Sequence, residues 1–395
     1  MGFNLFIIVL LAGGWLGSRI FSALRLPGIL GMLLFGIGFG VFAGEGLPQL
    51  AWEIEPFVKG VALVIILLRA GLGIQRSSLQ QVGKTALLLA FVPCIFEAAA
   101  LMPLLHYVFD LSWLTSAMAA WMLAAVSPAV VVPSMLELQE RGAGSRNQVP
   151  TMVLAGASVD DVVAITFFSL FLSVHKAGGL AGAGVAGRLG MLPLSIAGGV
   201  LLGAVAGFLI AWWFVRHDQH IRATEKFLLL LVFSMLLVEI GDAFALAALL
   251  GVMTVGFVLL ERAEAIAHKM AKKLAKVWIA AEIVLFVYIG MQLDPSVALD
   301  SGLRGLAVIA AGLCARTLGV LLVVAFDRRL VWSERFFCAV AYLPKATVQA
   351  ALGSVPLAAG VPGGDRILSL AVLAIAFTAP LGLILIRIMG KRLPQ

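Results

Sequence analysis

Charge is scarce in this chain: 12% of its 395 residues are Asp, Glu, Lys or Arg, against 62% hydrophobic, and the mean hydropathy is +1.08. A soluble domain carries about 25% charged residues to dress its surface, so a soluble globular protein is excluded. Cysteine is equally sparse. Cys94, Cys314 and Cys338 fall inside predicted helices without paired spacing, which leaves neither a disulfide framework nor a cysteine metal site. The first apolar run, Phe3 to Leu24, has no basic segment before it and no small-residue cleavage site, so it reads as a retained helix and not a targeting peptide. His106, His175, His217, His220 and His268 all lie in or near predicted loops, where they are expected to be solvated. A net charge of +7 would suggest a nucleic-acid partner in a soluble domain. Here the basic residues sit in short loops between apolar runs, membrane topology accounts for them, and no nucleic-acid partner is implied.

Long apolar runs are what the chain has in abundance. Segments of about 20 residues, enough to cross ~30 Å of hydrocarbon, are expected at 3–24, 27–43, 56–74, 84–108, 111–138, 149–175, 187–215, 225–241, 242–260, 273–293, 302–326, 333–357 and 366–389. The fold class is therefore an all-α polytopic membrane protein with thirteen predicted transmembrane helices. Placing the N-terminus outside leaves 20 of the 28 Lys and Arg in cytoplasmic loops and the C-terminus, with the richest cluster at Arg262, Lys269, Lys272, Lys273 and Lys276. Lys59, Lys176, Arg188, Arg304 and Arg366 fall outside, and Arg69, Arg316 and Lys345 fall within helices. This bias predicts an outside N-terminus and a cytoplasmic C-terminus.

A faint internal repeat runs through these segments. Ile66 to Gln75 (ILLRAGLGIQ) aligns with Leu285 to Asp294 (LFVYIGMQLD), and Phe91 to Ala98 (FVPCIFEA) with Ala310 to Thr317 (AAGLCART). Ala125 to Ser134 (AVSPAVVVPS) aligns with Ala341 to Ala350 (AYLPKATVQA). The offset is seven segments throughout. An odd offset puts the copies in opposite orientations, the inverted-repeat plan of secondary transporters.

Within the repeats, prolines interrupt two segments near mid-length. Pro128 and Pro133 in the fifth, and Pro344 in the twelfth, leave the carbonyls of Ala124, Ala129 and Val340 without helical partners. Such groups persist at membrane depth only where they line a cavity or meet a partner, so two crossed, broken helices are predicted. Asp160 and Asp161 sit mid-way along the sixth segment. Carboxylates there are expensive and mark a site for a cation or a proton. About 100° apart on their helix, they cannot face one point and are expected to do different jobs. A desolvated cation would need oxygens that one aspartate, Ser127 and free backbone carbonyls could supply.

Glu97 and Arg316 occupy equivalent places in the two repeats and are expected to pair. Arg316 remains charged and cannot carry a proton. Lys345, whose ammonium can lose its proton when buried alone, could neutralise an aspartate or the ends of the broken helices. Arg69 reads as a gate or a snorkelling anchor. Glu282 is mid-helix and carries no assigned role.

The stretches LLRAGLG (from Leu67), PCIFEA (from Pro93), AVSPAVVVPSMLELQ (from Ala125), VPTMVLAGASVDDVVAIT (from Val149), LPKATVQAALGSV (from Leu343) and TAPLG (from Thr378) resemble the cation/proton antiporter superfamily, in particular the NHA branch of sodium/hydrogen exchangers. The resemblance implies an NhaA-like fold and a homodimer. It implies that Asp161 binds cation and proton alternately, that Asp160 is its base-paired neighbour, and that Ser127 and the break at Pro128 belong to the ion site. Both aspartates are then metal ligands only for a transported monovalent cation. Many electrogenic relatives place a lysine where Arg316 stands; the NHA branch is similar in having arginine there, held by a glutamate at the place of Glu97. The resemblance further implies a single transporter domain in which core helices, about 84–175 and 302–389, move against scaffold helices, about 3–74 and 187–293. The function implied is exchange of sodium or lithium for protons in a bacterial inner membrane, with lipid as surroundings and neither cofactor nor enzyme activity. The alternatives are sodium-coupled symport of a small organic anion, an intramembrane aspartyl protease, and a cation channel. The protease is disfavoured because its two aspartates must face each other from separate helices.

Overall fold

The computed structural model describes residues 1–73, 76–176, 185–244, 246–293 and 295–394. Among these the chain is helical, with no strand. Every backbone polar group in hydrocarbon needs a partner within its own segment, and an apolar chain of this kind has the α-helix as its way to supply one. Eight of the described helices are long and apolar enough to cross a membrane. Large apolar side chains such as Leu5, Ile8, Trp15 and Phe57 are exposed on their outer faces. Each expected segment overlaps one or more helices, two of the segments being interrupted.

The chain divides into two compact units. The first comprises Met1–Pro48, Gln75–Ala164 and Phe286–Gln395. It holds α1 (Phe3–Ala23), α2 (Gly28–Ala43), α4 (Arg76–Phe109), α5 (Trp113–Ala124), α6 (Pro128–Glu140), α12 (Pro295–Ala325) and its successors α13 (Trp332–Ala341), α14 (Thr347–Gly353), α15 (Val355–Ala358) and α16 (Gly364–Gly390). The first half of α7 (Val149–Lys176) and the last turns of α11 (Glu264–Gln292) complete it. Hydrocarbon offers no hydrophobic drive between helices, so close backbone approach has to supply the packing. At Gly17 and Gly31 a Cβ would lie 2.6 and 2.1 Å from the other's carbonyl oxygen, which locks α1 on α2.

The second unit comprises Gln49–Ile74 and Ile165–Leu285. It contains α3 (Gln49–Gly73), α8 (Val185–Arg216), α9 (Ala223–Ala243) and α10 (Ala248–Arg262). Gly199, Gly203 and Gly207 repeat every fourth residue on one face of α8. They meet Ala247, Gly251 and Val255, which repeat at the same interval, so the two backbones touch along their length.

Several boundaries differ from the expected ones. The third segment begins at Gln49 and not near 56, with Pro56 inside the helix, so Lys59 is not in a loop but pairs with Glu55 at 2.6 Å. The tenth begins at Glu264, which puts Lys269, Lys272, Lys273 and Lys276 on α11 and not in a connection. Charge density hid these turns, because apolar content was the guide to helix. The division expected at Gly241–Asp242 falls instead between Ala243 and Ala248. Pro133 does not break the fifth segment; α6 runs through it. His106 is half-buried, not solvated, its Nδ1 2.6 Å from the Leu111 carbonyl and its ring stacked on Trp113. Ile74, Gln75 and Asp294 of the repeat alignment lie outside the described residues, as do the side chains of Pro128 and Ala129 and, among the basic residues expected outside, that of Arg188.

Candidate functional site

All the residues of the site belong to the first unit. Residues 125–127 separate α5 from α6, and residues 342–346 separate α13 from α14. Pro128 is the first residue of α6, where a missing N–H costs nothing. The two breaks touch: the Ser127 N–H donates to the Pro344 carbonyl at 2.8 Å.

Each break strands backbone groups, and side chains from other helices meet them. Gln349 Nε2 donates to the carbonyls of Met122 and Ala125, both at 2.9 Å. The Ala124 carbonyl accepts from Arg316 Nη1 and from Lys345 Nζ, the latter at 3.3 Å. The Val126 N–H donates to Asp160 Oδ2 at 3.1 Å, and the Lys345 N–H to Thr378 Oγ1 at 2.8 Å. The carbonyl at Val340 is capped locally by the Leu343 N–H at 3.2 Å. An unpaired buried polar group costs about 1–3 kcal/mol, so this wiring is what allows the irregular backbone to exist.

The charges form one bonded cluster. Arg316 Nη1 donates to Glu97 Oε2 at 2.7 Å, and Nη2 to Asp160 Oδ1 at 2.6 Å. Lys345 Nζ donates to the same Glu97 oxygen at 2.6 Å. The cluster is buried: Arg316 and Asp160 are 0% exposed, and Glu97 and Lys345 are nearly so. Packing of α12 on α4 brings the acid and the base together. Gly312, Arg316 and Gly319 fall on one face of α12; a Cβ on Gly312 would meet Leu101 at 2.7 Å, and one on Gly319 would meet the Pro93 Cα at 2.9 Å. Without side chains on both sides of Arg316, the helices close until the guanidinium reaches Glu97.

Below the guanidinium lies the Tyr342 ring, with Cζ 5.4 Å from its centroid, a cation–π contact. The Tyr342 hydroxyl reaches the bare Cα face of Gly156, where a Cβ would stand 2.1 Å from it. Gly156 is one helical turn before Asp160, so ring, guanidinium and carboxylate are stacked against one stretch of α7.

Asp161 stands apart from this network. It is buried, its Oδ1 has no hydrogen-bond partner, and among the described residues it has no ion-pair partner. Ser127 Oγ and Thr347 Oγ1, one beside each break, are likewise buried and without a hydrogen-bond partner among the described residues. Asp160 accepts from the Val126 N–H; Asp161 and Ser127 each follow one member of that pair in sequence, so two unbonded side-chain oxygens flank it.

Of the residues expected at the site, Glu97, Ser127, Asp160, Arg316 and Lys345 are thus joined directly or through the break. Arg69 belongs to the second unit, where its guanidinium lies 5.5 Å from the Trp278 ring centroid on α11, and Glu282 follows Trp278 by one turn. Gln349, Thr378, Tyr342 and Gly156 join the site without a charge or a helix break to mark them in the sequence. The signal available was a polar side chain in an apolar stretch, and Gln349 and Thr378 carry it.

A family model described as "Sodium/hydrogen exchanger, transmembrane" matches residues 6–391. Sodium/hydrogen exchanger 9B2 of Homo sapiens is 33% identical over 430 residues, covering 100% of this chain and 76% of the human one. The Mus musculus protein of the same name is 34% identical over 416 residues, with 100% and 74% covered. Among solved structures, the sodium proton antiporter MjNhaP1 from Methanocaldococcus jannaschii superimposes with a TM-score of 0.79 at 21% identity, covering 98% of this chain and 97% of that one. The all-helical architecture is therefore that of the NhaP-type antiporters.

Proposed function

The chain belongs to the sodium/hydrogen exchanger family, and on that premise we propose that it exchanges sodium or lithium for protons across a membrane, with Asp161 binding the one or the other. The observation that carries this reading is the balance of charge at the breaks. Arg316 and Lys345 contribute two positive charges, Glu97 and Asp160 two negative ones, and these four are bonded among themselves. Asp161 adds a third carboxylate with no base assigned to it. A lone carboxylate in a desolvated site needs one positive charge, and a proton or a monovalent cation supplies it.

Competition then couples the two fluxes. Asp161 holds a proton or a cation but not both, and only the loaded site changes sides, so a cation moves one way for protons moving the other. For the cation, Asp161 and Ser127 Oγ would provide oxygens, with Asp160 held back by Arg316 as a positioning group. In this reading the core helices at about 84–175 and 302–389 carry the site in an elevator-like motion against the scaffold helices at about 3–74 and 187–293. Two chains form a homodimer in a bacterial inner membrane, with thirteen crossings, an outside N-terminus and a cytoplasmic C-terminus. The Lys and Arg bias supports that orientation, and Arg69 beside Trp278 and Glu282 suits an anchor or gate of the scaffold. Organic-anion symport draws no support from relatives that are named exchangers.

The test is transport by proteoliposomes with an imposed pH gradient. Added sodium or lithium is expected to dissipate the gradient through the wild-type protein and not through Asp161→Asn. Normal exchange by that variant would overturn the assignment of Asp161; absence of any cation response in the wild type would overturn the exchange reading itself.

A further inference from the structure

A cavity of about 600 Å³ lies at the ends of α6 and α16, away from the breaks. Its rim carries Arg25, Arg141, Arg387 and Lys391, all exposed. The one carboxylate among the described lining residues, Glu137, is already paired with Arg141 at 2.5 Å. Arg25 sits in a left-handed turn at the end of α1, at φ 62°, and its carbonyl accepts from Arg387 Nη1 at 2.9 Å, which fixes the two around the opening. Leu138, Ile386 and Leu393 form the wall. On the deep side α6 and α16 close on each other, a Cβ on Gly390 falling 2.8 Å from Leu138.

The excess of positive charge on this lining favours an anion over a cation. The cavity's volume is that of a small-molecule site, and a basic pocket at the ends of membrane helices lies at headgroup depth. We propose that it binds a phosphate-bearing anion, the headgroup of an anionic phospholipid. The arginines match phosphate oxygens through their forked donors, and the leucine and isoleucine wall suits the glycerol and first methylenes of a lipid in a way that free phosphate would not use. The bound headgroup bridges α6, which begins at the first break, and α16, whose Thr378 holds the second.

The test is the melting temperature of the purified protein in detergent with phosphatidylglycerol, phosphatidylcholine or inorganic phosphate added. The variants are Arg387→Gln with Lys391→Gln, and, as a control for general attraction to basic surface, Lys272→Gln with Lys276→Gln. Phosphatidylglycerol is expected to raise the wild-type and control melting temperatures by about 3 °C or more, phosphatidylcholine to leave them unchanged, and the pocket variant to lose the shift. Should that variant not purify folded, Arg141→Gln takes its place. A pocket-dependent shift from inorganic phosphate but not from lipid supports the phosphate site and makes its source the free ion. The same lipid shift in the pocket variant and the wild type, or no shift from either anion, overturns the proposal.

Discussion

Arg316 and Lys345 share a single oxygen: both donate to Glu97 Oε2, at 2.7 and 2.6 Å. Among the described residues Glu97 is the one acid that pairs with both bases, so one atom ties α4, α12 and the second break together. Breaking a buried pair by removing one partner costs about 3–5 kcal/mol, whereas removing both partners can cost far less.

Glu97→Gln is therefore expected to destabilise the protein by about 3–5 kcal/mol, read as loss of thermal stability in detergent. Adding Lys345→Met to it should cost less than the two single changes combined, because the second base no longer lies buried against a neutral amide. Strict additivity in the double-mutant cycle would show that the two side chains do not interact.

Ser127→Ala should leave the maximal transport rate nearly intact and raise the sodium concentration for half-maximal exchange. Loss of one neutral oxygen ligand, worth about 1 kcal/mol, corresponds to roughly fivefold. Sodium-dependent dissipation of a pH gradient measures it, and an unchanged half-saturation would remove Ser127 from the ion site.

Gly156→Ala places a methyl group 2.1 Å from the Tyr342 hydroxyl, on a ring held beneath Arg316. Overpacking of this kind costs about 1–3 kcal/mol. Tyr342→Phe should cost little by itself, since its hydroxyl has no hydrogen-bond partner, and should restore part of the stability lost in Gly156→Ala. If the double variant melts no higher than Gly156→Ala, the hydroxyl is not the obstacle.

Asp327 lies in the connection between α12 and α13, where it accepts from Arg329 Nη2 at 2.7 Å and from Thr85 Oγ1 at 2.8 Å. The hydrogen bond from Arg329 holds its carboxyl down at about 2, from an ordinary value of 3.8. A depressed folded value means that the stabilisation is complete above the unfolded value and is lost as pH falls through the folded one. Asp327→Asn should accordingly melt lower than wild type above about pH 5, with the difference shrinking from about pH 4 towards pH 2. Melting curves from pH 3 to 8 check this; a difference that does not narrow at the acid end would mean that the charge of Asp327 is not what the connection uses.

The breaks were legible because proline removes a donor wherever it stands, and Pro128 and Pro344 did so at matching places in a repeat. Asp160 and Asp161 were legible because ionisable side chains are rare in apolar runs. Pro133 misled for the same reason that Pro128 informed: composition counts a proline without knowing whether its helix has already begun. Gln349 and Thr378 were passed over because a neutral polar side chain is tolerable in a helix, and its use depends on which carbonyl or N–H a different helix exposes to it.

The amino-acid sequence by itself determined that the chain is a bundle of apolar helices, where those helices fail, and which charges must be buried with them, since hydrophobicity, the missing proline donor and the cost of desolvation are local properties. Only the tertiary structure decided which charge met which. Glu97 and Arg316 are brought within bonding distance by glycines on either side of the arginine, and Asp160 rather than Asp161 turns towards that arginine because adjacent positions on a helix diverge by about 100°. The carboxylate left over is a consequence of packing geometry that a list of residues does not contain.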